Sequence, residues 1–215
     1  MKYQEDVRQS PMNEDKQSPE QSTRPYRMQA RAKSAALTGE RILNAAVDIF
    51  YEQPALHLSL EEVALRSGVT VQTVIRRFGS KDQLFVAASQ REAGRIAMHR
   101  DQAASGDVAG ALKILVDHYE EVGDGVLRML GEEQRMPALG DIIAQGRDYH
   151  RQWCERVFSP ALTGLDETAR ARRLAQLIAV TDVYTWNLLR RVSGLSRSQT
   201  ELALGELLHT LTGGR

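Results

Sequence analysis

Apolar side chains recur at helical spacing from Thr38 onward. Ile42, Ala46 and Ile49 mark one stripe, with Leu43, Val47 and Phe50 beside it. Thr38 is the expected N-cap, Glu40 sits near the positive helix end, and Pro54 is the expected stop. Ser59-Leu60-Glu61-Glu62 has the spacing of a capping box, in which Ser59 and Glu62 satisfy each other's orphan amides. A short helix to about Ser67 follows, and Gly68 ends it by tolerating the left-handed turn. Thr70 is placed to cap a second short helix, Val71 to Phe78, ended by Gly79. A second capping box, Ser80 to Gln83, opens a longer helix through about Arg100. Further helices are expected over 107–122, 124–135, 138–158, 166–192 and 196–212. Pro137, Pro160, Gly164, Ser193-Gly194 and a third box at Ser196 to Gln199 separate them. Neither strand-length alternation nor a solenoid repeat occurs, so the expected fold is all-α.

The N-terminal segment reads differently. Residues 1–25 hold few hydrophobic side chains (Met1, Tyr3, Val7 and Met12) and the prolines Pro11, Pro19 and Pro25. Too little apolar surface is present to offset the entropy of ordering, and a disordered tail is expected. Arg24, Arg27, Arg31 and Lys33 follow without an acid between them, a basic arm suited to a DNA minor groove or simply to solubility. The expected domains are therefore 1–33, tail and arm; 34–90, an N-terminal three-helix domain; and 91–215, a C-terminal helical domain.

Composition narrows the function. The chain of 215 residues carries 28 basic and 28 acidic side chains. The balance hides an asymmetry: residues 22–100 hold 12 basic and 7 acidic groups, net +5, while residues 101–215 hold 13 and 16, net −3. A basic half joined to an acidic half suits a polyanionic partner. No apolar run approaches a membrane span, and no charged, apolar, small-residue succession opens the chain. With Cys154 the only cysteine, a reducing cytoplasm is the expected location. His150 and Cys154 share a helix face at i and i+4, but no third metal ligand follows from spacing. Neither a glycine-rich phosphate loop nor a nucleophile–base motif is present, so no metal, cofactor or catalytic residue is expected.

The informative stretch is 56–81, where two short helices flank a glycine turn, the helix-turn-helix spacing. Leu60, Val63, Ala64 and Leu65 are expected to pack the first helix across the second, Val69 to plug the turn, and Val74 and Phe78 to anchor the second helix from behind. Thr70, Val71, Gln72, Thr73, Arg76 and Arg77 remain for its outer face, which suits entry into a major groove. Lys81 opens the next helix, where a phosphate would relieve its opposition to the helix dipole.

Thr38-Gly39-Glu40 through Phe50, Leu58 to Ala64, Ser67 to Thr70 and Phe78 to Leu84 resemble the DNA-binding domain of TetR-family transcriptional regulators, over roughly residues 38–90. The resemblance implies an all-α homodimer that reads a double-stranded DNA operator. It also implies a C-terminal domain that takes a small-molecule effector, dimerisation through the last two helices, and repression relieved by ligand. Two positions depart from the family's pattern. Gln72 stands where a small residue is usual, and Ile75 where a phosphate-binding tyrosine is usual. Gln72 brings an amide able to pair with adenine, and Arg77 can restore the lost phosphate attraction.

In the C-terminal half, Ile142, Gly146, Tyr149, Trp153 and Val157 form a stripe, and Tyr184 to Leu188 a second cluster. His118, Tyr119, Met129, Tyr149, Trp153 and Tyr184 are the candidate pocket residues, with Met136 a neighbour. Leu174, Leu177, Ile178, Thr181, Tyr184 and Leu188, then Leu204, Leu207, Leu208 and Leu211, give apolar faces on two consecutive helices for a homodimer through 166–212. A ligand-responsive repressor on a palindromic operator is the reading these features favour. A helical small-molecule binding protein with a degenerate helix-turn-helix, and a small all-α enzyme, are the alternatives.

Overall fold

A helix of 33 residues, α1 (Glu20–Glu52), leads the chain. The computed structural model describes residues 20–52, 58–134 and 137–213. Residues 1–19, Pro54, His57 and Met136 lie outside the described residues, and so does most of the expected tail. The chain divides after Thr38 into two units. In the first, Tyr26, Met28 and Leu37 are exposed, and the Thr38 hydroxyl donates to Ser34 O at 2.9 Å. Thr38 therefore lies inside α1 rather than starting it, and residues 20–33, expected as tail and arm, are helical. Good helix formers fill this stretch (Met28, Gln29, Ala30, Arg31, Ala32), so propensity carries the helix without a buried stripe.

In the second unit, side-chain caps set most helix starts. Ser59 Oγ accepts the Glu62 amide at 3.0 Å and opens α2 (Leu60–Ser67). The reciprocal half of this expected box is missing, because Glu62 instead accepts from Arg66 Nε at 2.7 Å. Arg66 also reaches Glu52 at 2.7 Å, tying α2 to the end of α1. Gly68, at φ 67°, ends α2 in the left-handed conformation, and Val69 N closes the turn on Ala64 O at 3.0 Å. Thr70 Oγ1 accepts the Thr73 amide at 3.2 Å and opens α3 (Val71–Phe78). Gly79, at φ 84° and ψ −81°, makes a γ-turn in which Ser80 N donates to Phe78 O at 3.2 Å. The complete Ser80–Gln83 box then opens α4 (Lys81–Arg100).

The remaining helices are α5 (Val108–Gly131), α6 (Ala138–Val157), the short α7 (Ser159–Leu162), α8 (Glu167–Val180), α9 (Val183–Asn187) and α10 (Arg197–Thr212). No strand occurs among the described residues. Helix α5 is continuous where a break near Gly123 was expected. Gly123 is present for closeness: a Cβ there would sit 2.6 Å from Trp186 Cζ3. The helix expected over 166–192 is divided instead. Thr181 Oγ1 turns back to Leu177 O at 2.7 Å, and Asp182 Oδ1 accepts the Tyr184 amide at 2.9 Å, restarting the chain as α9. A π turn, Leu188–Val192, follows α9.

Two main cores result. Ile42, Ala46 and Ile49 of α1 pack with Val63 and Ala64 of α2, Val74 of α3 and Leu84 and Ala88 of α4. Leu115 and Tyr119 of α5, Trp153 of α6, Leu177 of α8, Trp186 of α9 and Leu204 of α10 anchor the other. A smaller cluster, Phe85, Leu139 and Ile143 with Phe50 against it, links the two. Leu65, expected between α2 and α3, is 76% exposed, because Leu60, Val63 and Ala64 already occupy the inward face.

Candidate nucleic-acid interface and a buried cavity

The three N-terminal helices present α3 from a rigid base. Val74 is fully buried behind it, with Val71 and Phe78 partly buried alongside. Gln72, Ile75, Arg76 and Arg77 are exposed, Thr70 stands exposed at the N-cap, and Thr73 is half-buried. Val71, expected on the outer face, turns partly toward the core. Thr70 and Thr73 join their hydroxyls at 3.0 Å, so both are oriented by the cap. Lys81, half-buried, starts α4 directly beyond Gly79 and Ser80. The outer face of α3 thus carries an amide near its start and two arginines in its last turn. That order suits base contacts at one end and phosphate contacts at the other.

Helix α4 connects this head to the C-terminal helices, and α1 braces it. Arg91 donates to Glu40 Oε2 at 3.1 Å and to Asn44 Oδ1 at 2.6 Å. The next residue, Glu92, accepts from Tyr51 Oη at 2.9 Å and from Arg95 at 2.6 Å. Burial pushes the Glu92 carboxyl up, but the Arg95 and Tyr51 hydrogen bonds outweigh it and hold the group below the usual carboxylate range. Arg128 of α5 donates to the Tyr51 carbonyl at the C-terminal end of α1.

A cavity of about 490 Å³ lies between α1, α4, α5 and α6. Of the expected pocket residues, His118, Tyr119, Met129 and Tyr149 line it. Trp153 and Tyr184 do not. Trp153 is packed in the core with its Nε1 donating to Arg100 O at 3.0 Å, and Tyr184 is 53% exposed on the outer surface. His118 and His150 face the cavity from α5 and α6, and burial, with the charge of Arg100 added, lowers both imidazoles to about 3. His150 Nε2 lies 3.2 Å from Thr181 Oγ1 and 3.9 Å from Cys154 Sγ. Burial pushes the Cys154 thiol up to about 11. Among the described residues no group of three or more His, Cys, Asp or Glu is arranged to hold a metal. Sequence patterning missed Arg100, which ends α4 at the cavity wall. An arginine at a helix end reads as solvated, and only side chains some 50 residues away bury it.

The apolar faces expected for dimerisation divide between two environments. Leu174, Leu177, Thr181, Leu204 and Leu208 are buried in their own subunit's core, while Tyr184, Leu188 and Leu207 are exposed. Val192 and Leu202, not foreseen in the pattern, are exposed beside them in sequence.

Residues 42–88 match the family model described as bacterial regulatory proteins, tetR family. A transcriptional regulator from Rhodococcus sp. Rha1 shares the fold at a TM-score of 0.66 and 22% identity, over 82% of this chain and 96% of that one. A putative TetR-family transcriptional regulator from Mesorhizobium loti superposes at a TM-score of 0.61 and 17% identity, covering 83% and 96%. The fatty acid degradation regulator FadR from Bacillus halodurans gives 0.54 and 19%, covering 82% and 95%. Among curated proteins, none matches the chain. No described helix is long and apolar enough to cross a membrane. The matched segment contains α2, α3 and the start of α4, the same elements that present Gln72, Arg76 and Arg77, and the protein is a DNA-binding transcriptional regulator whose segment 42–88 is similar to that of the tetR-family proteins.

Proposed function

We propose that the protein is a ligand-responsive repressor that binds a palindromic operator as a homodimer. The observation that carries the reading is the outer face of α3: Gln72, Arg76 and Arg77 exposed, with Val74 fully buried behind them. One α3 per subunit enters a major groove. Thr70, Val71, Gln72 and Thr73 lie at the leading end near the base edges, and Arg76, Arg77 and Lys81 approach the phosphates. The exposed Tyr184, Leu188, Val192, Leu202 and Leu207 supply the surface through which α8 to α10 pair with a second copy. An effector occupies the cavity beside His118, Tyr119, Met129 and Tyr149 and favours one placement of α4 over another. A coupling of about 1–3 kcal/mol between the sites weakens operator binding roughly 5–150-fold. Residues 1–33 act as an arm outside the reading head, 34–90 as the head, and 91–215 as the sensing and pairing domain. Footprinting on the DNA upstream of the protein's own coding region tests the reading. A protected palindrome supports it, and absence of protection at any protein concentration that saturates non-specific binding refutes it.

A further inference from the structure

Arg100 closes one end of the cavity and is only 4% exposed. Its guanidinium carbon lies 4.3 Å from the Trp153 ring centre and 5.5 Å from that of Tyr149. Nη2 lies 2.8 Å from His150 Nδ1, while Nε is buried with no hydrogen-bond partner among the described residues. A guanidinium carries five donors, and this one is far from saturated.

No counter-ion reaches it among the described residues, and the neighbouring carboxylates are otherwise engaged. Asp101 accepts from Arg156 at 2.7 Å and from the Tyr149 hydroxyl at 3.1 Å. Glu92 takes Tyr51 and Arg95. Asp182, which also lines the cavity, caps the Tyr184 amide. His118 and His150 are neutral at physiological pH and add no charge of either sign. A buried cation without a carboxylate is costly, and stacking on two rings offsets only part of that cost. The rest of the wall is largely apolar, with Phe85, Val126, Leu130, Ile142 and Ile143 among its residues.

We infer that the cavity takes an apolar organic acid whose carboxylate seats on the Arg100 guanidinium, with the hydrocarbon body against α5 and α6. This rests on the reading of the cavity as the effector site and names the class of effector. The carboxylate accepts from Nε and a terminal nitrogen, the paired geometry that guanidinium offers and ammonium does not. The apolar wall supplies affinity, and the arginine rejects neutral analogues of the same shape, which would leave its donors unpaired.

The test uses the full chain and four acids, octanoate, dodecanoate, phenylacetate and 4-phenylbutanoate, each beside its primary amide. Binding is followed by calorimetry and by tryptophan emission, since an anion at Arg100 lies next to the Trp153 ring. At least one acid is expected to bind at least about tenfold more tightly than its amide. Arg100→Met abolishes that preference by weakening acid binding, with the amide bound no more weakly than by the wild type because no donor is then left unpaired. Arg100→Lys keeps the charge without the fork and retains part of the preference, which covers the case of Arg100→Met failing to fold. Equal binding of acids and amides, no acid binding below about 1 mM, an acid preference that survives Arg100→Met, or equal losses of acid and amide in Arg100→Lys would each overturn the inference. None of these measurements involves DNA. An acid that binds through Arg100 yet leaves operator binding unchanged refutes the effector role of the cavity and leaves the anion site established.

Discussion

The guanidinium of Arg77 lies across the backbone of α1 at Gly39, so close that a Cβ there would sit 2.4 Å from Arg77 Nη2. The last turn of α3 is thereby laid against α1, and an arginine expected to meet phosphate is held in place before DNA arrives. Its guanidinium also lies 6.0 Å from the Phe78 ring centre.

Gly39→Ala separates this positioning from stability. The clash is with the flexible end of a side chain, and alanine within a helix gains about 0.5–1 kcal/mol over glycine. The variant is expected to melt at or above the wild-type temperature while binding DNA more weakly. In an Arg77→Ala background the same substitution has no further effect on DNA affinity, which a double-mutant cycle reads directly.

Gln72 and Arg77 have different proposed roles, one at the base edges and one at the phosphates. Gln72→Ala is expected to cost about 1–3 kcal/mol on the operator and little on random DNA. Arg77→Ala and Lys81→Ala weaken both DNAs alike, and each flattens the slope of log K against log salt by about one unit per contact. Titrations on operator and scrambled duplexes at several salt concentrations check both. Equal losses for Gln72→Ala on the two duplexes would contradict the placement of α3.

Acid sensitivity follows from His118 and His150. Both imidazoles are lowered from 6.5 to about 3, chiefly by burial. Between those values the unfolded chain binds more protons than the native one, so stability present above pH 6.5 is lost as pH falls toward 3. Urea midpoints measured down this range should decline, and His118→Leu should make the decline shallower.

Pairing through the exposed patch is tested by charge. Leu188→Glu with Leu207→Glu is expected to give a monomer in sedimentation velocity with unchanged helicity, because both side chains are exposed in the single subunit. Operator binding should fall with it, while cavity binding of small molecules persists. A dimer that survives both charges places the interface elsewhere.

What could be read along the chain was local. Gly68, Thr70 and the Ser80 and Ser196 boxes depend on residues within one turn, and each cap is present. Ser59 shows how such a motif is diverted: Glu62 had a stronger partner in Arg66, which Glu52 also holds from another helix. The stripe containing Tyr149 and Trp153 was correctly apolar, yet spacing does not say which side of a stripe meets the core and which meets a cavity. Trp153 went to the core and Tyr149 to the cavity wall. Arg100 left no trace in the pattern at all, since its burial depends on α6 packing over the end of α4.

The γ-turn at Gly79 gives α4 the character of a lever. Two residues, Gly79 at φ 84° and Ser80, join α3 to α4, stitched on one side by Ser80 N to Phe78 O and on the other by the Ser80–Gln83 box. Such a joint has almost no slack, so the direction of α4 is passed on to α3. A helix of 20 residues is about 30 Å long. Turning a rod of that length by about 5° about its Arg100 end carries the far end through roughly 2.6 Å. In the proposed homodimer, two heads carried that far in opposite directions would change their separation by about 5 Å, a sizeable fraction of the roughly 34 Å helical turn that two half-sites must match. The mechanical gain lies in the length of α4 and in the hydrogen bonds that hold the two-residue joint, and a very small rearrangement around the proposed effector would be enough to use it.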